Sequence, residues 1–487
     1  MNAKWVNTTA LLAALACTVA SMRAQATANI VINNVDPAGT GFNDPAAPDA
    51  AAGCQTGETL GQCRLRVFTT AANQWGQLLN STVTITVDAS MDSLTCSGSS
   101  AVLGSAGPNT AHSNFANAPR ANTSYVQAEA NSLAGTDLSS ASADITATFN
   151  VDIDTGTCLT GASGWWYDTD PNDLVPGDRV ALLPVVFHEL GHGLGFTSLY
   201  RTSTGAPLTS GTPIWGYYLY DESSSMLWKD MNNAQRLTST TNDPNLVWTG
   251  PQTSKQVPKF LAPAAVVIVN APGGIAGNYA AQPATFGPDV ISNPVTGNVV
   301  LATDGTAPAN DACEPLTNGA AIAGNIALVD RGTCNFSIKV KNAQNAGAIG
   351  VIVANNQATG LPPMGGTDAS VTIVSVGVAQ ATGTTLKANL PGVNVSLQQD
   401  PNGELQGTAA GCVRMFAPNP VQPGSSVSHF SSDAFPNLLM EPVLNTSIFN
   451  TVDLTLPLFQ DIGWKTTAED ILFIDGFDPS PCQFVQP

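Results

Sequence analysis

The chain has 487 residues, enough for two or three domains rather than one core. Hydrophobic residues make up 43% and charged residues only 11%, with 44 Gly and 33 Pro favouring turns and short strands over long helices. The net charge of −19 repels polyanions, which excludes nucleic acid and anionic lipid surfaces as partners.

The first 26 residues combine Lys4, an apolar run over 8–20 and the small-x-small triplet Ala24-Gln25-Ala26. That combination predicts a cleaved secretory signal, with an extracellular destination ahead of a periplasmic one. Lipidation at Cys17 is disfavoured by Ala14, which stands where leucine is expected. No later apolar run reaches the roughly 18–20 residues of a membrane helix. Beyond Cys17 the chain holds an even set of cysteines, which in an exported protein predicts disulfides. Proximity favours Cys54 with Cys63 and Cys313 with Cys334; the other four cysteines allow three pairings, of which Cys96–Cys158 with Cys412–Cys482 is the one expected.

Residues 28–34 alternate as a strand, and residues 64–80 place Phe68, Ala71, Ala72, Trp75, Leu78 and Leu79 at helical spacing. Residues 82–88 and 143–152 read as further strands. The strongest helix lies within 178–192, beginning or kinking near Pro184 and ended by Gly191, Gly193 and Gly195. Near residue 260 the composition becomes β-branched and almost free of aromatics. There the strand 326–330, helix 337–347 and strand 348–355 form a small α/β module. Aromatic sequence resumes near 410 and runs to Trp464.

Histidine is the scarcest informative residue, with only His112, His188, His192 and His429. Two of the four fall in HisGluLeuGlyHis, 188–192. Histidines four apart share a helix face and can converge on one ion, and the intervening Glu189 suits a general base acting on a metal-polarised water. A catalytic zinc needs a third protein ligand. The remaining imidazoles are His112, in a Gly/Pro/Asn loop that suits a surface role, and His429; the nearest downstream carboxylates are Asp221 and Glu222.

HisGluLeuGlyHisGlyLeuGlyPhe (188–196) resembles the start of the metzincin zinc signature, in which a third histidine follows shortly after a glycine. Ser198 occupies that position here. The departure is similar to the leishmanolysin-like branch, where an insertion separates the glycine from a Ser-His-aromatic segment and a Leu-Met-x-Pro turn. SerHisPhe (428–430) and LeuLeuMetGluPro (438–442) carry that likeness, and LeuPheGlnAspIleGlyTrp (458–464) resembles the same family's C-terminal stretch. The resemblance implies His429 as third ligand, Met440 beneath the metal, one catalytic Zn2+ and an extended peptide substrate along a sheet-edge strand, expected near 143–152. Residues 324–356 resemble a protease-associated (PA) domain, which carries no catalytic residues and is thought to bind substrate or partner.

The expected fold is therefore α+β. A metzincin-like catalytic domain, a twisted sheet plus an active-site helix, is interrupted by a β-rich α/β protease-associated domain. The segments are 1–26 signal, 27–262 first catalytic part, 263–397 insert, 398–465 second catalytic part and 466–487 tail. The expected function is a secreted zinc endopeptidase with Glu189 as general base. Two rivals remain: a glutamate-type zinc peptidase with Glu222 as third ligand, and a non-catalytic binding or adhesion protein with a structural metal site. Calcium suits so acidic a chain, but no EF-hand-like spacing supports it.

Overall fold

A computed structural model describes residues 27–358, 360–443, 452–467 and 482–484. The expected signal segment, Cys17 included, and most of the tail lie outside these residues.

The first unit is built on four strands: β1 (Ile30–Asn34), β2 (Ile85–Asp92), β3 (Gly104–Pro108) and β4 (Ile145–Asn150). Their order is β1-β2-β4-β3, with the first three parallel and β3 antiparallel to β4. The segment near 143–152 is thus an inner strand. The expectation that it forms a sheet edge is corrected: among the described residues the edge beside the helix that carries His188 and His192 is β3. The sequence hid this strand because Gly-Ser-Ala-Gly-Pro has no β-branched residue. A Cβ at Gly104 would stand 2.7 Å from the Phe149 ring and 3.2 Å from Cγ of Glu189, so only glycine fits there.

Two helices pack on this sheet. Helix α1 (Leu60–Leu78) begins four residues earlier than its apolar spacing suggests. A capping box sets its start: the Thr59 hydroxyl accepts from the Gln62 N–H, and Gln62 Oε1 accepts from the Thr59 N–H. Helix α2 (Leu182–Leu194) is the predicted motif helix. Pro184 sits in its first turn, where an N–H has no intrahelical partner to lose, so the helix needs no break there. Trp75 of α1 stacks on Phe187 of α2 at 4.5 Å and donates its indole N–H to the Phe187 carbonyl at 2.9 Å. At the other end of α2, Trp464 Nε1 donates to Leu194 O and Trp215 Nε1 to Gly195 O. Buried indoles thereby satisfy carbonyls that a helix end leaves open.

The second unit is a closed barrel of seven strands: β5 (Ala265–Ala271), β6 (Gly277–Pro283), β7 (Val295–Leu301), β8 (Ile326–Asp330), β9 (Gly350–Ala354), β10 (Val374–Val378) and β11 (Asn394–Gln399). Around the barrel they run β5-β6-β10-β9-β8-β7-β11. The stretch β7-β8-β9-β10 is parallel, with helix α3 (Phe336–Asn345) crossing between β8 and β9. Valine, isoleucine and leucine fill the interior, and a second apolar layer lies under the helices. Neither layer shares a residue with the aromatic core of the first unit.

The chain enters and leaves the barrel side by side. The Ala264 N–H donates to Glu404 O, Asp400 N–H to Ala264 O and Gln406 N–H to Ala262 O. An insert with adjoining ends interrupts the first unit without disturbing its core. The loop at Leu361 touches the first unit, its N–H donating to Asp433 Oδ1 at 3.3 Å. Disulfides join Cys54–Cys63, Cys96–Cys158, Cys313–Cys334 and Cys412–Cys482. Four disulfides fit an oxidising compartment. No described helix is long and apolar enough to cross a membrane.

Candidate metal centre

Helix α2 turns His188 and His192 toward the 425–442 segment and Glu189 toward the edge strand β3. The three ring nitrogens Nε2 of His188, His192 and His429 lie 3.1–3.2 Å from one another. Each Nδ1 meets a backbone carbonyl: His188 the Leu439 oxygen at 2.7 Å, His192 the Phe196 oxygen at 2.6 Å and His429 the Ser425 oxygen at 2.8 Å. A carbonyl only accepts, so Nδ1 carries the proton in every ring and Nε2 presents a lone pair. Three lone pairs then point at one another, a repulsive arrangement that a cation resolves. Ligands about 2.0–2.1 Å from a tetrahedral zinc stand about 3.3 Å apart, close to the spacing found.

Electrostatics agree with neutral rings. Burial lowers His188 to about 4, against the opposing pull of the Leu439 carbonyl. Burial, with His188 alongside, lowers His192 to about 3. Burial and the two neighbouring imidazoles hold His429 well below the usual histidine range. Glu189 is pushed up to about 7 by burial, while the Ala106 N–H, donating to Oε2 at 2.9 Å, works in the other direction.

Met440 is fully buried beneath the helix. A Cβ at Gly191 would stand 2.9 Å from its Sδ, so glycine at this position lets the thioether pack against the helix. The turn around Met440 is fastened from two sides: the Phe430 N–H donates to Met440 O, and Leu439 N–H to the Asp453 carboxylate. Ser198, standing where a third histidine would close the short motif, is buried and bonded to the segment that carries His429. Its N–H donates to Ser428 Oγ at 3.1 Å, and the two hydroxyls are 3.2 Å apart.

A cleft of about 750 Å³ opens over these groups. Its walls include Gly104, Ser105 and Ala106 of the edge strand, all three histidines and Glu189. Several predicted residues lie elsewhere. His112 sits on a short strand with its Nε2 3.2 Å from Thr110 Oγ1 and Ser139 Oγ. Glu222 stands apart from the three imidazoles, with Arg414, Glu404 and Asp221 as its charged neighbours. Asp221 accepts from Ser223, Ser224 and Asn242.

Sequence reasoning missed the Leu439 carbonyl, the Ala106 N–H and Asp453. The first two are backbone groups without a residue-type signature. Asp453 had a faint one: it lies two residues before Thr455, whose N–H and hydroxyl donate to its Oδ1 at a helix start.

Comparison with known proteins finds one family model, the PA domain, matching residues 295–386. Human ER degradation-enhancing alpha-mannosidase-like protein 3 is 41% identical over 102 residues, 21% of this chain and 10% of that protein. Vacuolar-sorting receptor 1 of Pisum sativum is 32% identical over 104 residues, 21% of this chain and 17% of the receptor. The chain thus spans between a tenth and a fifth of the length of these curated relatives. Among solved structures, a zinc aminopeptidase from Bacillus subtilis is similar at 20% identity and TM-score 0.22, covering 31% of this chain and 35% of that one. An aminopeptidase from Aneurinibacillus sp. gives 26% identity and TM-score 0.22, covering 30% and 33%. What these comparisons identify is the insert: residues 295–386 belong to a PA domain.

Proposed function

We propose that this chain is a secreted zinc-dependent endopeptidase of the metzincin type, nearest to the leishmanolysin-like branch. The observation that carries the reading is the convergence of three Nε2 lone pairs at 3.1–3.2 Å beside a carboxylate, on a cleft walled by a sheet-edge strand. His188, His192 and His429 would hold the ion. Zinc bound there would supply Lewis acidity, acidifying a water and polarising a scissile carbonyl.

The protein's own groups do the rest. Three neutral imidazoles keep their lone pairs free at neutral pH, because burial holds all three below the usual histidine range. The Leu439, Phe196 and Ser425 carbonyls fix the tautomers. Glu189, oriented by the Ala106 N–H, takes the proton from the attacking water and passes it to the departing amine. The edge strand β3 offers backbone groups to an extended peptide, which would lie along it as an added strand. An extended peptide needs no free terminus there, which favours endopeptidase action. The PA domain would act on partner or substrate access, and its Leu361 contact with Asp433 reaches the loop that follows the third ligand.

The test is Glu189→Ala, assayed for zinc content and casein hydrolysis together. Retained zinc with activity lowered by about 10²–10⁴ supports the reading. Casein digestion at the wild-type rate refutes it.

A further inference from the structure

The barrel holds a second group of potential ligands, of a different chemical kind. After β7 the chain loops through 304–314 and returns to β8. The loop is pinned by its backbone: Asp304 N–H donates to Ala309 O at 2.9 Å, and Asp330 N–H of β8 donates to Asn310 O at 2.8 Å. The Cys313–Cys334 disulfide holds its far end. This path brings one carboxylate oxygen from each of Asp304, Asp311 and Glu314 within 4.8 Å of the others.

The hydrogen bonds leave this group incomplete. Asp304 is 5% exposed; its Oδ1 accepts from the Thr306 N–H, while its Oδ2 is buried with no hydrogen-bond partner. Asp311 is 1% exposed; its Oδ1 accepts from the Cys313 N–H and its Oδ2 from the Thr333 hydroxyl. Lys339 is fully buried beside them, donating to the Asp311 carbonyl at 2.7 Å, and its Nζ lies 3.8 Å from Asp311 Oδ2. That ammonium attracts both aspartates through its charge but donates to the Asp311 carbonyl, and the Asp304 Oδ2 atom keeps no hydrogen-bond donor. A buried carboxylate oxygen without a donor is costly enough to expect a missing partner. Three carboxylates against one ammonium leave two negative charges, which a dication neutralises.

Donor chemistry selects the ion. All three ligands are hard oxygens, and the neighbouring cysteine sulfurs are locked in the disulfide, so zinc and copper are disfavoured. Two Ca–O bonds of about 2.4 Å reach about 4.8 Å, and calcium tolerates the irregular geometry that such a loop offers. Glu314 is exposed and gives the site its solvent side.

We propose that Asp304, Asp311 and Glu314 form a calcium site in the PA domain, which pins the 304–314 loop to the barrel. The site is independent of the histidine cluster and of the proteolytic reading.

The test uses the full chain, cleared of divalent ions with EGTA, reloaded with one equivalent of zinc after the chelator is removed, and then dialysed against radiolabelled calcium at concentrations up to about 1 mM, the range of extracellular calcium modules. Wild type is expected to bind one calcium per chain and to melt at a higher temperature with it. Asp304→Asn and Glu314→Gln are each expected to bind at least about tenfold more weakly with zinc content unchanged. Glu314 is exposed, so Glu314→Gln decides the matter should Asp304→Asn fail to fold. A wild type that binds no calcium, or a Glu314→Gln protein that binds as tightly as wild type, overturns the proposal.

Discussion

The two units solve the sheet-edge problem in opposite ways. The barrel closes on itself, β11 pairing with both β5 and β7, so its seven-stranded sheet has no open edge. The first unit leaves β3 open, and that strand forms one wall of the histidine cleft. Their cores differ to match. The barrel interior is aliphatic, whereas the first unit buries Trp75, Trp165, Trp215, Trp228 and Trp248, of which Trp75 and Trp215 donate to backbone carbonyls of the motif helix and its exit. An aliphatic closed barrel is a scaffold whose chemistry must sit in its loops. An open sheet braced by indoles keeps one edge available and one helix rigid.

This contrast can be broken or sharpened by substitution. The largest effect expected is that of Glu189→Ala described above. Next comes Gly104→Val, which forces a side chain between Phe149 and Glu189 and also obstructs the open edge. It should cost about 1–3 kcal/mol of stability by overpacking and lower kcat/KM by more than that loss explains. Denaturant unfolding and peptide kinetics on the same preparation would check this, and unchanged kcat/KM would show that the edge is not used. Ser198→Ala with Ser428→Ala removes the latch between the helix-exit loop and the His429 segment. Zinc affinity should fall about 10–100-fold, as for other groups that orient ligands, measured by competition with a chromophoric chelator. Ile352→Ala, in the barrel interior, should cost about 2–5 kcal/mol in that unit yet leave zinc content at the wild-type level, because the two cores share no residue.

The pH response follows from the histidines. Their folded pKa values lie below the ordinary 6.5, at about 4 for His188 and about 3 for His192, with burial the main cause. The unfolded chain therefore binds protons more readily than the folded one across this window, and stability rises with pH there. The stabilisation is complete above about 6.5 and is lost as pH falls toward 4 and below, with zinc release over the same range. Circular dichroism and zinc release followed in parallel would test this; full zinc retention at pH 3 would contradict it.

How much of this was legible in the sequence depended on how local the signal was. The motif helix, the strand 326–330 and the helix beginning at Phe336 show periodicity within a few residues and were readable. The edge strand was not, because contact with Glu189 and Phe149 demands glycine where strand propensity would place a β-branched residue. His429 is 237 positions from His192, and spacing alone left it level with His112 and Glu222. Only the resemblance of 428–442 to a family turn singled it out. The Asp304, Asp311 and Glu314 group follows no metal-binding spacing, since a barrel loop and a disulfide assemble it. Backbone groups such as Ala106 N–H and Leu439 O have no letter in the sequence at all.

The central claim is that three histidines from two distant segments hold one zinc ion. Zinc content by mass spectrometry, measured on wild type, His429→Ala and Glu222→Ala, addresses it directly. One equivalent in wild type and in Glu222→Ala, with loss in His429→Ala, is expected. Stoichiometric zinc in His429→Ala, or its loss in Glu222→Ala alone, would contradict the three-histidine site.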